Sequence, residues 1–443
     1  MAQAAKMQKT TRRERWAWYL YDFGNSAYAA VVLLAVFSAY FKGEVVGGAE
    51  GSRLWGVSVG IAMLIVAVSA PFLGTVADFS GSKKRFLFFF TAMAVIFTGL
   101  LFFVQAGDVV MGMIFFILAE TGYRAAQVFY NSLLPEIAEP DEIGTVSGNG
   151  WAIGSLGGIL CLVLALALIM LIGGTIIVRL TLPITALYFA LSSIPIFLWL
   201  REKAEKRSLP EGETYFTLAI SRLKRTVGTV RNYREFIKFI VSFLIYNDGI
   251  LMTMNFAAIL GAVLYGMEQQ QLIIFMILVQ VTSVAGAYIF GIVADRVTAK
   301  RALVISMVLM LAAVIWMYFN HSLTGFYLIG GLAGFALTGV QSVSRAMVGK
   351  LAPDGKSAEF YGFFAVAGRT SSFIGPTVYG WLAAEAALWY EAQGLSTLVA
   401  EQSGQRIALL SIIAFLLVGM VLLLSVNERE GVIAASAEAI AAD

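Results

Sequence analysis

The chain has very few of the residues that build redox, metal or hydrolytic centres. Its 443 residues include one cysteine, Cys161, and one histidine, His321. A single cysteine cannot form an internal disulfide, and a single histidine excludes a histidine cluster for metal binding or proton relay. The sequence also contains no Gly-x-x-x-x-Gly-Lys-Ser/Thr loop for nucleotide phosphates. We therefore expect no metal, no cofactor and no ATP-driven step, and a membrane-embedded enzyme is the weaker functional alternative.

Charge is scarce as well. Only 13% of the residues are charged, 59% are hydrophobic, and the formal net charge is +3. A soluble domain of this length is not so apolar, and a small, scattered basic excess does not favour nucleic-acid binding. The apolar runs are long enough to cross a bilayer. The sequence predicts an all-α integral membrane protein with twelve transmembrane helices: 16–40, 54–77, 86–106, 109–134, 145–172, 178–200, 235–264, 271–294, 303–320, 323–349, 359–383 and 406–426.

The basic residues predict the orientation. Twelve spans place both termini on one side, and most Lys and Arg fall in the N-terminal tail, the central segment and the loops of that side. Only Lys42, Arg53, Arg179 and Arg406 fall on the opposite side. The positive-inside rule then predicts cytoplasmic termini in the cell (inner) membrane. The basic N-terminus lacks a small-residue cleavage site, so we expect it to be a retained tail.

One long polar break divides the chain in two. It predicts a basic tail at 1–15, six-helix halves at 16–200 and 235–426, a linker at 201–234 and a second tail at 427–443. Within the linker, apolar residues recur at helical spacing: Phe216, Ile220, Leu223, Val227 and Val230. This stripe predicts an amphipathic helix on the cytoplasmic membrane surface, with a plain solvated linker as the alternative.

A loop motif occurs in both halves and indicates a duplication. Gly-x-Val-Ala-Asp at 74–78, followed by a basic cluster, returns 217 positions later at 291–295. The acid would end a helix near the positive N-terminus of a neighbour, and the glycine would allow close helix approach. These motifs predict two gating loops, with the residues Gly74, Asp78, Lys84, Arg85, Gly291, Asp295, Arg296 and Arg301. A plain positive-inside loop explains the basic residues alone.

A second repeat has a spacing of 214 positions. Gln127 corresponds to Gln341 at this spacing, and Gly154 corresponds to Gly368. The sequence therefore predicts two six-helix pseudo-repeats.

Ionisable and polar residues inside the predicted spans are candidates for coupling or substrate binding, because such groups at membrane depth face a cavity or a partner. The candidates are Asp22, Asn25, Glu120, Arg124, Gln127, Asp248 and Arg369. A rise of about 1.5 Å per residue places Asp22 and Arg124 at similar depth. Glu120 precedes Arg124 by four residues, which puts both on one helix face. We expect Arg124 to be shared between the two acids, with a purely structural charge cluster as the alternative.

Two weaker expectations concern the same region. Asp248 can pair with Arg369, because both fall near the middle of their spans. Four aromatic residues are candidates for the pocket wall: Tyr21, Tyr28, Trp151 and Tyr246. Aromatic residues in spans also serve as packing or lipid-facing residues.

The twelve spans, the duplicated Gly-x-x-x-Asp loop and the basic linker resemble the major facilitator superfamily across the whole chain. The Arg124-Ala-Ala-Gln127 element looks like one found in proton-linked exporters of that superfamily. The stretches 18–28, Trp-Tyr-Leu-Tyr-Asp-Phe-Gly-Asn-Ser-Ala-Tyr, and 130–135, Tyr-Asn-Ser-Leu-Leu-Pro, resemble the branch related to autophagy-associated vacuolar amino-acid effluxers.

This resemblance implies a secondary transporter that works by alternating access, in which two halves rock about a central site. It further implies a monomer surrounded by lipids that exports an amino acid or similar small solute, with protons as the coupling ion. A lipid flippase or a multidrug exporter on the same fold remains the alternative.

Overall fold

The computed structural model describes residues 10–138, 143–203, 214–353 and 357–442, and in these ranges every regular element is a helix. The first half contains α1 (Arg12–Tyr28), α2 (Phe37–Tyr40), α3 (Gly48–Ser80), α4 (Lys83–Leu100), α5 (Val109–Ser132), α6 (Leu134–Ile137), α7 (Ile143–Leu171) and α8 (Thr175–Trp199). A separate helix, α9 (Tyr215–Val230), precedes the second half. That half contains α10 (Arg234–Tyr265), α11 (Gln269–Arg296), α12 (Ala299–Phe319), α13 (Leu323–Leu351), α14 (Ser357–Ser371), α15 (Ile374–Ala392) and α16 (Thr397–Leu424), and α17 (Glu428–Ala442) follows it.

Among the described residues, eleven helical segments are long and apolar enough to cross a membrane. The predicted span at 359–383 is the difference, because it forms two helices, α14 and α15, which are interrupted at Ser372 and Phe373. Pro376 explains the break: it has no N–H for the carbonyl of Ser372, and its ring disfavours a helical turn there. Together the two helices complete the predicted all-helical membrane fold with twelve crossings.

The first crossing is continuous but irregular. Two π-helical segments, Ala29–Ala35 and Phe41–Val46, flank the short α2. Wider turns of this kind release backbone carbonyls from the regular ladder. The carbonyl of Ala35 accepts a hydrogen bond of 2.8 Å from the Gln269 side chain, at the start of α11 in the other half. The irregular helix thus provides a direct link between the halves.

The two halves repeat one helix packing. A Cβ on Gly150 of α7 would collide with Trp18 of α1, and a Cβ on Gly368 of α14 would collide with Phe243 of α10. In this packing, Trp18 of α1 corresponds to Phe243 of α10, 225 positions later, and Gly150 of α7 corresponds to Gly368 of α14, 218 positions later. The spacing of 214 that the sequence suggests for these glycines is therefore off by about one helical turn, because the loops before the two helices differ in length.

The ends of α3, α8, α11 and α16 lie on the same side of the molecule as the beginning of α1. We call this the terminal side, and the other the far side. On the terminal side, α9 contacts α3 of the first half and α14 of the second. Its side chains Phe216 and Ile220 are 61% and 38% exposed, whereas Ala219 is buried. The side chains of Leu223 and Val227 lie outside the described part of the chain. The helix therefore presents part of its apolar stripe outwards, next to the membrane-crossing helices.

We predict that the exposed apolar face of α9 lies in the membrane interface, because burying Phe216 and Ile220 removes apolar surface from water. Spin labels at positions 216 and 220 in nanodiscs should be more accessible to oxygen than to a water-soluble nickel reagent. A label at the exposed Ser221, roughly 100° around the helix from Ile220, is the matched control and should show the reverse. Equal nickel accessibility at all three positions would contradict membrane docking.

Candidate substrate cavity between the two halves

A cavity of about 220 Å³ lies between the two halves. Polar side chains from both halves line it: Arg124 and Gln127 of α5, Asn247 of α10 and Gln341 of α13. Apolar walls come from Met63 and Val66 of α3, Phe243 and Leu251 of α10, and Phe364 and Ala365 of α14. A small number of fixed polar groups in an apolar pocket is the usual composition of a small-molecule site.

The glutamine repeat lies at this cavity. Gln127 and Gln341 both line it, one from each half. Near them, Tyr246 of α10 and Ser344 of α13 share a hydrogen bond of 2.7 Å. At the corresponding positions of the first half, Tyr21 of α1 stacks on Tyr130 of α5, with 4.9 Å between the ring centroids. These contacts relate α5 to α13 at the spacing of 214 positions that the sequence indicates. The repeat thus marks two symmetry-related positions in the cavity wall.

Arg124 is held from within its own helix. Its Nε lies 2.7 Å from Oε1 of Glu120, whose side chain is fully buried. The guanidinium also lies over the ring of Tyr123, at 5.2 Å, and Tyr28 stacks on that ring. Because the Arg124 side chain remains 24% exposed, it presents a positive charge to the cavity. The predicted Glu120–Arg124 pair is present.

Asp22 and Arg124 form no ion pair in this structure. The Asp22 carboxylate lies against Gly154 of α7, where a Cβ would be 2.8 Å from Oδ2, and Asn25 lies beside it. The register between α1 and α10 places Asp22 at the position equivalent to Asn247, which lines the cavity. The acid of the first half thus corresponds to an amide in the second.

Asp248 is buried at 2% exposure, and its Oδ1 has no hydrogen-bond partner among the described residues. It packs against Gly375 at the start of α15, where Phe23 packs against Gly157 in the first half. The residue of the first half that corresponds to Asp248 is therefore Phe23, which is not acidic. The side chain of Arg369 lies outside the described part of the chain, so the expected pairing of the two stays a prediction.

None of the four aromatic candidates lines the cavity. Tyr21 shares a hydrogen bond of 2.8 Å with Thr91, and Tyr246 shares one with Ser344, so both hydroxyls are satisfied between helices. Tyr28 is buried in the stack with Tyr123, and Trp151 is 37% exposed. The aromatic residues of the wall are Phe243 and Phe364. Their side chains have no polar atom, so the sequence contains no signal that separates them from packing residues.

The gating loops differ from expectation at their glycines. A Cβ on Gly74 or Gly291 would meet no atom of the described residues within 4 Å, so neither glycine makes the close helix contact that the sequence predicts. In α3, the close contact with α15 lies nearer the far side instead, at Gly56 and Gly60. The side chains of Asp78 and Asp295 lie outside the described part, and Arg85, Arg296 and Arg301 are exposed.

Lys84 takes part in a contact that occurs twice. Its Nζ donates to the carbonyls of Phe197 and Leu200 at the end of α8, at 2.9 and 2.5 Å. In return, Glu202 accepts hydrogen bonds from the amides of Lys83 and Lys84 at the start of α4. Such contacts satisfy orphan groups at both helix ends.

The second half repeats this exchange. Lys300 donates to the carbonyls of Leu424 and Val426, at 2.8 and 2.6 Å, and Glu428 accepts from the amides of Ala299 and Lys300. Sequence analysis missed both acids, although each stands two residues after the last carbonyl that its lysine partner binds.

Polar contacts join the halves on the far side. Lys42 pairs with Glu401, and Arg53 pairs with Glu385 at 2.5 Å. Gln405 donates to Ser52 at 2.7 Å. The ion pairs that join the halves among the described residues therefore lie on the far side.

In the described ranges, no group of three or more His, Cys, Asp or Glu side chains could hold a metal ion. The chemistry that this arrangement offers is recognition by guanidinium and amide groups, together with buried carboxylates that can change partners.

Residues 55–436 match the family described as "Vacuole effluxer Atg22 like". An uncharacterized MFS-type transporter of Bacillus subtilis, YxiO, is 28% identical over 382 residues, covering 84% of this chain and 88% of that protein. Autophagy-related protein 22 of Coccidioides immitis is 23% identical over 399 residues, covering 72% of this chain and 66% of the fungal protein. The chain thus spans about two thirds of that relative's length.

Solved structures share the fold. A bacterial homologue of the human lysosomal transporter Spinster, inward-facing and unoccupied, superposes with a TM-score of 0.71 at 13% identity, covering 96% of this chain and 97% of that one. The nucleoside transporter NupG superposes with a TM-score of 0.64 at 16% identity, covering 93% and 99% of the two chains. The relatives and the structural neighbours are transporters and not enzymes.

Removal of Arg124 should destabilise the first half, because Glu120 would be left as an unpaired buried charge. We expect Arg124→Ala to lower the free energy of unfolding in mixed micelles by about 3–5 kcal/mol. The double variant Glu120→Gln/Arg124→Gln should recover most of this loss, because neither side chain is then charged.

Lys238→Ala is the matched control. It removes a pair with Glu235 in which Lys238 is 34% exposed, and Glu235 keeps the hydrogen bond from the amide of Asn427. Partly solvent-screened pairs contribute only about 0–1 kcal/mol. Equal losses in Arg124→Ala and Lys238→Ala would contradict a stabilising role for the buried pair.

Proposed function

This chain belongs to the Vacuole effluxer Atg22-like family of major facilitator transporters, and on that basis we propose that it exports a small solute, an amino acid or similar metabolite, by proton-coupled alternating access. The molecule acts as a monomer in the cell (inner) membrane with cytoplasmic termini. The terminal side is then the cytoplasmic side. We assign the conformation described here, with ion pairs between the halves on the far side, to the uptake of solute from the cytoplasm.

The observation that carries this proposal is the cavity shared by the two halves. Its volume of about 220 Å³ is below the roughly 300–1,000 Å³ of sites for drug-sized ligands, which favours a small metabolite over a lipid or a bulky drug. Arg124 offers the charge that pairs well with a carboxylate. Gln127, Asn247 and Gln341 offer amide groups that donate and accept hydrogen bonds, as the two ends of a zwitterion require.

Release on the far side requires the halves to rock. The pairs Lys42–Glu401 and Arg53–Glu385 would separate, while the terminal ends of α3 and α11 close. Gly74 and Gly291 would then reach the close contacts that they lack here. The gating role of Asp78 and Asp295 belongs to that second conformation.

Proton coupling is assigned to Asp22. In this conformation Glu120 holds Arg124, and Asp22 lies without a cation in a confined site against α7. A carboxylate in such a site favours the protonated form, and the approach of a guanidinium favours the ionised form. A change of the Arg124 side chain from Glu120 to Asp22, within the first half, would release the proton to the side to which the cavity then opens. Because Glu120 holds the arginine otherwise, the buried cation is never unpaired.

The substrate class is tested with purified protein in proteoliposomes. We expect counterflow with labelled amino acids of small and medium size, and stronger accumulation under a proton gradient than without one. Phospholipid scrambling and transport of large cationic drugs should be absent. Counterflow of drugs or lipids without that of any amino acid would overturn the proposal.

Asp22→Asn separates coupling from binding. This variant should lose gradient-driven accumulation by at least about tenfold while it keeps solute exchange, because an amide cannot carry the proton but can still accept a hydrogen bond. Asp108→Asn, the same change at a helix start on the far side, should behave as wild type. Full proton-driven accumulation in Asp22→Asn would exclude Asp22 as the coupling acid, and Asp248 would be the next to examine.

A further inference from the structure

A large groove lies on the terminal side of the second half, away from the central cavity. It has a volume of about 1190 Å³ and is formed by the start of α12, the end of α16 and the first turns of α17. Since α12 and α16 both cross the membrane, their ends on this side place the groove at the level of the lipid headgroups.

One wall of the groove is apolar and open. Ile305 of α12, Leu424 of α16 and Ile433 of α17 line it and are 46%, 55% and 58% exposed. Ile305 lies nearly two turns into α12, so this wall extends from the boundary towards the membrane core. This open apolar surface suits contact with the acyl chain of a lipid.

The polar end of the groove carries two free cations. Arg301 and Arg429 line it and are exposed. Neither guanidinium has an ion pair or hydrogen bond with any residue in the described ranges. Lys300 and Glu428 also line the groove, but both are engaged with helix ends. The groove therefore combines two unpaired guanidinium groups with an apolar wall.

We propose that this groove binds a phospholipid with an anionic headgroup from the leaflet on the terminal side. Arg301 and Arg429 hold the phosphate, because one guanidinium group can donate two parallel hydrogen bonds to phosphate oxygens. Ile305, Leu424 and Ile433 hold an acyl chain. A soluble anion would use the arginines but leave the apolar wall uncovered, so the two features together indicate a lipid.

The site also has a structural consequence. The groove joins α17 to α12 and α16, and Glu428, which begins α17, caps the start of α12. A lipid bound at Arg301 and Arg429 bridges the same elements, and it should stabilise the terminal side of the second half.

The test uses the full chain in detergent with dioleoylphosphatidylglycerol or dioleoylphosphatidylcholine added. Native mass spectrometry should show retention of phosphatidylglycerol, and the melting temperature should rise more with it than with phosphatidylcholine. Arg301→Gln/Arg429→Gln should reduce retention by roughly tenfold or more, since each cation near the membrane surface contributes to anionic-lipid binding. Its melting temperature without lipid should match that of wild type, because both side chains are exposed.

Arg231→Gln/Arg234→Gln is the matched control. It removes two exposed cations from the same side of the molecule outside the groove, and it should leave lipid retention unchanged. Equal loss of retention in both double variants would overturn the proposal, since binding would then follow overall charge.

Two further outcomes would also count against it. Displacement of the lipid by millimolar glycerol phosphate would show that the groove binds a soluble anion. A dimer that Arg301→Gln/Arg429→Gln dissociates would assign the groove to a second copy of the chain. Neither depends on whether the protein transports amino acids.

Discussion

The pairing of Arg124 with Glu120 is the interaction on which the first half depends. A guanidinium beside a cavity and a fully buried carboxylate are both costly in an apolar medium, and each is tolerated because the other lies 2.7 Å away. The pair fixes the face of α5 that meets the cavity, and with it the position of Gln127. It also gives the arginine a partner within its own helix, so that other acids are free to take different roles as the halves move.

The same requirement, that no polar group is left unsatisfied, shapes the helix ends on the terminal side. In each half a lysine covers the last carbonyls of one helix, and an acid beyond those carbonyls accepts the first amides of another. The exchange fastens α4 to α8 and α12 to α16, and each half can then move as one body. The joints between the bodies lie elsewhere, in the ion pairs of the far side and the irregular first crossing. Rocking of the halves therefore breaks contacts between them and preserves those within them.

Much of this was readable from composition and periodicity. Long apolar runs, the polar break at 201–234 and the repeated loop motif predict twelve crossings in two halves, because a bilayer requires apolar helices of set length. The Glu120–Arg124 pair was also predictable, since a four-residue spacing leaves two side chains on one helix face. Contacts between helices that are distant in the chain were not predictable. Gly74 and Gly291 share a motif, yet a Cβ on either would meet no described residue closely, and the register of α7 against α14 depends on loop lengths.

The sequence by itself determined the helices, the duplication and the residues that must be shielded from lipid, because these follow from local spacing and from the free energy of burying charge. Only the tertiary structure decided which of them meet. It brought Gln127, Asn247 and Gln341 to one cavity, placed Tyr21 and Tyr246 away from it, and left Asp22 apart from Arg124. The reason is that such contacts join helices distant in the chain. Their rotation and relative tilt are set by the sum of many packing contacts, such as glycine against backbone, and no short stretch of sequence contains that sum.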